Sequence, residues 1–334
     1  MILGLFMEIQ LASMENITCW AFRSLMQGVT DSYSGVMSMN YLVKRNKAWH
    51  EVDMFPINGQ KQWLQVATSK EEECAAFLKK LNEKLITSQT LALGGKASRN
   101  EKLKEDPKKY DNKMVIDNPA RPVRNIKGSL DALYGIQLNC SCPSPNVISI
   151  GQGPALIKRP QRVVGIINEL LKQDKFKISI KTRLGLNEFE VRERRLFKLL
   201  DELEKIKDPN FTEVVVHFRH AKEKSTAEYD YSSLREICDY NIPIVINGGI
   251  NSYKDYNNIV KNIPKRKNIK GFMIGREALK NPDCFVDVSN MLNCTLLHRR
   301  SLDKINSDFK KLCAEHVPRD IYLERIKLAC PWYN

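Results

Sequence analysis

GIQLNCSCPSPNV, residues Gly135 to Val147, is the stretch that decides how the chain is organised. Ile136 and Leu138 alternate with polar neighbours, the pattern of a half-buried strand. The run then stops in Cys142-Pro143-Ser144-Pro145, because proline brings no N–H to a ladder and restricts the residue before it. The strand therefore delivers Asn139 and Cys142 to its C-terminal end. In α/β folds with parallel strands that end carries the chemistry, which places Cys142 on a loop mouth where a thiol can meet a substrate. Free cysteines are also common small apolar core residues, and position alone leaves that reading open for Cys140 and Cys142.

Outward from this strand the same rhythm repeats. Strands are expected at Met7–Met14, Gly35–Asn40, Trp63–Ala67, Lys177–Arg183, Thr212–His217, Ile242–Asn247 and Lys270–Ile274. Helical patterns fall between most of them. One helix follows a possible Thr18 cap. A second runs from about Lys70 to Leu85, with Ser69 and Glu72 as a capping box. Further helices cover about Gln161–Gln173, Asn187–Lys205, Leu234–Cys238 and Lys254–Asn262. Eight strands alternating with helices predict an α/β fold, a (β/α)8 TIM barrel. Apolar positions at Phe309, Leu312, Ile321, Leu323, Ile326 and Leu328 add a short C-terminal helical extension. The expected division is a barrel over 1–293 and a helical segment over 294–334. Within the barrel, about 88–128 breaks the rhythm: Lys96–Lys127 holds ten Lys/Arg, five Asp/Glu and three prolines without periodicity. It reads as an insertion on the barrel rim, either a solvated linker or an added RNA-contacting surface.

Composition narrows the class. The chain has 334 residues and a net charge of +14, an excess that favours polyanion partners, most simply nucleic acid. Its nine cysteines have no regular spacing and point to reduced thiols in a cytoplasm. No cysteine or histidine pair has metal-site spacing. The opening MILGLFMEIQL is short, lacks a preceding basic segment and is interrupted by Glu8, so neither a secretory signal nor a membrane span is expected.

The notable polar residues fall at strand C-termini: Ser13 and Met14, Gln65, Asn139 and Cys142, Lys181 and Arg183, His217 and Arg219, Asn247-Gly248-Gly249, and Gly275-Arg276. Structural polar residues would scatter; these converge on one rim. The last two groups follow strands seven and eight, where barrels hold a phosphate on glycine N–H groups. Arg276 adds a charge-assisted contact to the same anion. If Ile178 and Ile180 pack against the outer helices, Lys181 points into the barrel, where an ammonium is costly without an anionic or electron-rich partner. A rim lysine reaching solvent and a satisfied core imidazole at His217 are the plainer alternatives.

At this point the chain resembles the dihydrouridine synthase family, flavoenzymes that reduce specific uridines in tRNA. The resemblance rests on LASMENITCWAFR (11–23), LQVA (64–67), IQLNCSCPSPNVISIGQGPALIKRP (136–160), IKTRLG (180–185), VVHFRH (215–220), IPIVINGGI (242–250) and GFMIGREALKNP (271–282), in family order. It implies a barrel holding FMN, with Ser13, Met14, Gln65, Lys181, His217, Asn247, Gly248, Gly249, Gly275 and Arg276 around it. It implies Cys142 as the catalytic acid that protonates C5 while hydride from the flavin reaches C6, with NADPH or NADH as electron donor. Asn139, Arg183 and Arg219 would face the substrate, and the C-terminal helices would help hold tRNA. The chain departs from the family's pattern at Ser141 (usually Gly), at Phe218 and His220 within the histidine motif, and at Gly249 (usually Asp). Phe218 is expected to add bulk near the substrate mouth. A second reading is an FMN barrel reductase of a small molecule, because Asn-x-Ser-Cys-Pro and Gly-Gly-Ile also resemble dihydroorotate dehydrogenases. A third is an RNA-binding relative without flavin, disfavoured because Cys142, Lys181, His217 and Arg276 are all present.

Overall fold

A computed structural model describes residues 7–92, 129–261, 263 and 268–333. Its strands are β1 (Glu8–Leu11), β2 (Asp31–Tyr33), β3 (Met37–Ser38), β4 (Lys61–Ala67), β5 (Leu133–Asn139), β6 (Lys177–Arg183), β7 (Phe211–His217), β8 (Ile244–Asn247) and β9 (Ile269–Ile274). They pair in the order β2-β1-β9-β8-β7-β6-β5-β4-β3, and β2 also pairs with β4, which closes eight parallel strands into a TIM barrel. The two-residue β3 only extends the end of β4, through Met37↔Val66 and Ser38↔Ala67.

Alternation along each strand separates an outer apolar layer from a polar lumen. In β6, Ile178 and Ile180 point outward and join one apolar cluster with Val163, Ile166, Ile167 and Leu170 of the helix Pro160–Leu171. Each fully buried aliphatic side chain there contributes roughly 1.5–3 kcal/mol. Ser179 and Lys181, between them, face the lumen. Mid-barrel, Trp63 lies across the interior, its Nε1–H donating to Asp31 Oδ1 at 2.8 Å. Gly135 makes room for it, since a Cβ there would stand 2.3 Å from the Trp63 ring. Ala12, Tyr33, Val215, Val245 and Met273 complete this apolar plug.

Below the plug, at the strands' N-terminal ends, lies a buried ionic cluster. Glu213 accepts from Tyr33 Oη at 2.9 Å, Gln10 Nε2 at 3.0 Å and Lys270 Nζ at 2.7 Å. Glu8 pairs with Lys61 and Lys270. Burial holds the Glu213 carboxyl above its usual range despite Lys270. Burial and the neighbouring Glu8 and Glu213 carboxyls push Asp31 up to about 7.

Several local expectations are corrected. The second barrel strand is Asp31–Tyr33, not Gly35–Asn40. Its three residues carry no apolar alternation because Asp31 and Tyr33 serve the polar lumen. The capping box expected of Ser69 and Glu72 is replaced by a turn before the helix: Thr68 Oγ1 accepts from Lys70 N–H at 3.0 Å and donates to Glu73 at 2.6 Å, while Ser69 Oγ donates to the Ile150 carbonyl at 3.5 Å. That helix runs Glu72–Ala92; the rest of the 88–128 insertion lies outside the described residues. Thr18 bonds back to Met14 instead of capping the next helix. The long helix expected over Asn187–Lys205 is two, Glu188–Arg192 and Arg195–Leu203, broken where Arg194 turns left-handed at φ 55°.

The C-terminal helices Leu302–Glu315 and Asp320–Ala329 pack back onto the barrel. Phe309 meets Trp332 edge-on at 5.5 Å, and Trp332 stacks on Phe22 at 6.4 Å. Arg300 ties the segment down through Asp283 and the Leu25 carbonyl. Among the described residues no helix is long and apolar enough to cross a membrane.

Candidate active site

The strand ends gather most of the expected residues at one mouth, organised around Asn139. Its Oδ1 accepts the backbone N–H groups of Ser141 at 3.0 Å and Cys142 at 2.9 Å. Its Nδ2 donates to Gln65 Oε1 at 2.6 Å. Gln65 Nε2 donates to Gln137 Oε1 at 2.7 Å, and Gln137 Nε2 to Ser179 Oγ at 3.1 Å. This chain of amides ties three adjacent strands together beneath the Cys142 loop. Both ends of Asn139 and of Gln65 are thereby engaged inside the protein, so they hold the loop from behind.

Cys142 itself stands half-buried at the mouth, while Cys140 is fully buried. Proline and serine at 143–145 lead straight into the short helix Pro145–Ser149. Gly153, at φ 60°, lets the chain return so closely that a Cβ there would stand 2.8 Å from the Cys142 carbonyl.

Lys181 enters the lumen as its strand pattern implies. It is 8% exposed and donates to Ser141 Oγ at 3.1 Å. Burial, with the Arg183 guanidinium adding to it, pulls Lys181 down to about 7. Arg183 Nε donates to the Ser141 carbonyl at 2.7 Å. His217 lies on the neighbouring strand, in register with Arg183 on one side and Asn247 on the other, and its Nδ1 is buried without a hydrogen-bond partner among the described residues. Burial and then the cations Lys181, Arg183, Arg219 and Arg276 hold its imidazole neutral, far below the usual range. Asn247 donates to the Met273 carbonyl at 2.8 Å.

The segment after β7 was not legible as part of the site. Tyr229 lies against Gly248, where a Cβ would meet its ring at 2.3 Å, and Tyr231 Oη donates to the Gly248 carbonyl at 2.5 Å. Gly248 and Gly249 both have positive φ, 106° and 69°. Arg276 donates through Nη1 and Nη2 to the Ser225 carbonyl at 3.1 Å each, and through Nη2 to Tyr229 Oη at 3.2 Å. Arg219 donates to the same Ser225 carbonyl at 2.8 Å and covers the Tyr229 ring at 3.7 Å. Arg219 is thus buried beneath this loop. Phe218 is also corrected: it is fully buried in the outer core against Tyr231, with ring centroids 5.0 Å apart. Ser13 and Met14 reach the rim through the turn in which Met14 O accepts from Ile17 and Thr18 N–H. Gly275 lies beside Ala12 with little crowding. Two tyrosines spaced by one residue in an otherwise charged loop were the available sequence signal for Tyr229 and Tyr231.

With this geometry in place, comparison with known proteins decides the family. A family model described as dihydrouridine synthase matches residues 83–322, well over half the chain. The chain belongs to the dihydrouridine synthase family. A tRNA-dihydrouridine(20) synthase [NAD(P)+] of Schizosaccharomyces pombe is 32% identical over 176 residues, covering 50% of this chain and 34% of that protein. A human tRNA-dihydrouridine(20a/20b) synthase [NAD(P)+]-like protein is 28% identical over 155 residues, 45% of each chain. A tRNA-dihydrouridine(16) synthase of Haemophilus influenzae is 28% identical over 154 residues, 45% of this chain and 46% of that one. The matched stretches span less than half the length of each of these dihydrouridine synthases. Their names carry different target positions, so none transfers to this chain. Among solved structures, the old yellow enzyme homologue of Zymomonas mobilis aligns over 89% of this chain at 8% identity, with a TM-score of 0.48.

Proposed function

We propose that this chain reduces the C5–C6 bond of uridines in tRNA to dihydrouridine, using a bound flavin, FMN, reduced by NADPH or NADH. The observation that carries the reading is the presentation of Cys142. Asn139 and the amide chain behind it hold a half-buried thiol at the barrel mouth, next in sequence to the residue that Lys181 contacts.

The residues present fit a flavin. Lys181 is a buried amino group with spare donors, and His217 Nδ1 is buried without a partner among the described residues. Both await a ligand with polar ring atoms. Lys181, His217 and Asn247 would hold its ring end. Gly248, Gly249, Gly275 and Arg276 would hold its phosphate, once Tyr229 Oη and the Ser225 carbonyl give up Arg276. Ser13 and Met14 would line the opposite rim, over Gln65. When bound, the flavin supplies the hydride for C6 of the uracil.

Cys142 Sγ holds the proton that C5 receives, and the Asn139 clamp fixes where that proton stands. Arg183, half-buried beside the thiol loop, is placed to meet an extruded base or its phosphate. The uridine must leave its stack to reach the mouth, because C5 and C6 are not accessible within it. The net charge of +14 would attract the RNA backbone. Exposed Lys310 and Lys311 on the helix Leu302–Glu315 would extend that contact from the C-terminal segment. The cysteine-rich composition and an RNA substrate together favour a reducing, cytoplasmic setting.

The test is Cys142→Ala. The variant should bind flavin and oxidise NADPH yet lose most uridine reduction. Full uridine reduction would overturn the role of the thiol. A wild-type protein that binds no flavin would overturn the cofactor reading.

A further inference from the structure

Ser141 is held at three atoms by three different residues. Its N–H donates to Asn139 Oδ1 at 3.0 Å, its carbonyl accepts from Arg183 Nε at 2.7 Å, and its Oγ accepts from Lys181 Nζ at 3.1 Å. Any residue, glycine included, could make the two backbone bonds. Only the third needs a hydroxyl.

That third bond lies where it has most effect. Lys181 is 8% exposed and Ser141 4% exposed. No carboxylate reaches Lys181; Ser141 Oγ is its one hydrogen-bond partner among the described residues. A buried ammonium is stable only if its donors are satisfied. One is satisfied by Ser141, which leaves the others for whatever occupies the mouth.

We propose that Ser141 is a positioning residue whose hydroxyl fixes the Lys181 ammonium at the barrel mouth beside Cys142. Its consequence for flavin chemistry rests on the function proposed above; the positioning itself does not. Burial and Arg183 already bring Lys181 down to about 7, so it is poised between ammonium and amine under ordinary conditions. Deleting the hydroxyl removes the one hydrogen-bond acceptor of Lys181 among the described residues and leaves only the Coulombic pull of Cys142 on the ammonium's side, against burial and Arg183. A hydrogen bond to a charged group is worth about 1.5–3 kcal/mol, and partial replacement by water leaves a loss equivalent to about 1 pH unit. The amine form then predominates at neutral pH, and the mouth loses its central cation.

The experiment is a pH titration of the intact chain labelled with 13C at lysine Cε, without flavin or RNA. The Lys181 resonance is identified by its loss in Lys181→Arg. Ser141→Ala should lower the Lys181 midpoint by about 1 pH unit, and Ser141→Thr should restore it. Ser141→Gly keeps both backbone bonds and serves as a second deletion if the alanine variant folds poorly. An unchanged midpoint in the deletion variants would overturn the proposal. So would an equal shift in the threonine variant, which would make packing, not the hydroxyl, the cause. Once flavin is added, the pH dependence of uridine reduction should move in the same direction. Absence of flavin binding in the wild type would overturn the proposed function while leaving the titration result standing.

Discussion

Replacing Asn139 tests the geometry on which the candidate site depends. Asn139→Ala strips an acceptor from two N–H groups and a donor from Gln65 Oε1. Ser141 and Gln65 are 4% and 2% exposed, so neither orphan is easily rehydrated, whereas Cys142 is half-buried. At about 1–3 kcal/mol for each buried unsatisfied group, the variant should lose about 3 kcal/mol of stability. A displacement of the Cys142 loop by about 1 Å should also cost about 100-fold in uridine reduction. Asn139→Asp behaves differently. It keeps the acceptor, and the Gln65–Gln137–Ser179 chain can reverse in concert, with Ser179 Oγ donating at its far end. Stability at neutral pH should therefore be retained. The new carboxylate also stands beside Lys181, its register partner on β6.

That carboxylate has a pH signature. Lys181 sits at about 7 in the folded chain, against about 10.4 when unfolded. The folded state thus binds fewer protons between these values, and this residue's contribution makes stability rise with pH across that window. Asn139→Asp should flatten the rise by returning the proton to Lys181. Urea unfolding at pH 7 and pH 9.5, with turnover measured alongside, reads both effects. If Asn139→Ala costs under about 1 kcal/mol and keeps its turnover, Asn139 does not hold the thiol loop.

Two other changes address separate parts of the molecule. Lys270→Met leaves Glu213 buried without its cation and should cost about 3–5 kcal/mol at pH 8. The deficit should shrink at pH 5.5 as Glu213 takes up a proton, and Lys270→Met/Glu213→Gln should recover most of it. Equal losses in the single and double variants would contradict this account of the barrel floor. Tyr229→Phe frees Arg276 from one hydroxyl and should tighten FMN binding to the flavin-free protein by about 5-fold, read by quenching of flavin fluorescence. Weaker binding would mean that the phenol belongs to the holding site.

The sequence was most informative where strand alternation and function coincide. Ile178 and Ile180 against Ser179 and Lys181 placed β6 at both its ends and aimed the lysine correctly. Seven such segments matched barrel strands, but the eighth was placed at Gly35–Asn40 and β2 escaped notice. Asp-Ser-Tyr looks like a loop until Asp31 and Tyr33 are seen serving Trp63 and Glu213 inside the lumen. Phe218 looked like a mouth residue because it follows His217; the same alternation turns it outward into the core. Arg194 gave no warning of its left-handed turn, since nothing local requires one. The site's polar residues were found at strand ends, but their partners were not. Asn139 clamps Cys142 through side-chain bonds formed across a turn. Tyr229 reaches Arg276 from 47 residues away in sequence, a contact that no local pattern encodes.

The most direct test of the proposed function is to incubate the purified chain with NADPH and unmodified tRNA and map dihydrouridine by position. The account predicts dihydrouridine at one or two defined uridines, mostly lost in Cys142→Ala. Flavin that is reduced by NADPH without any dihydrouridine in the RNA would contradict it and point instead to a small-molecule substrate.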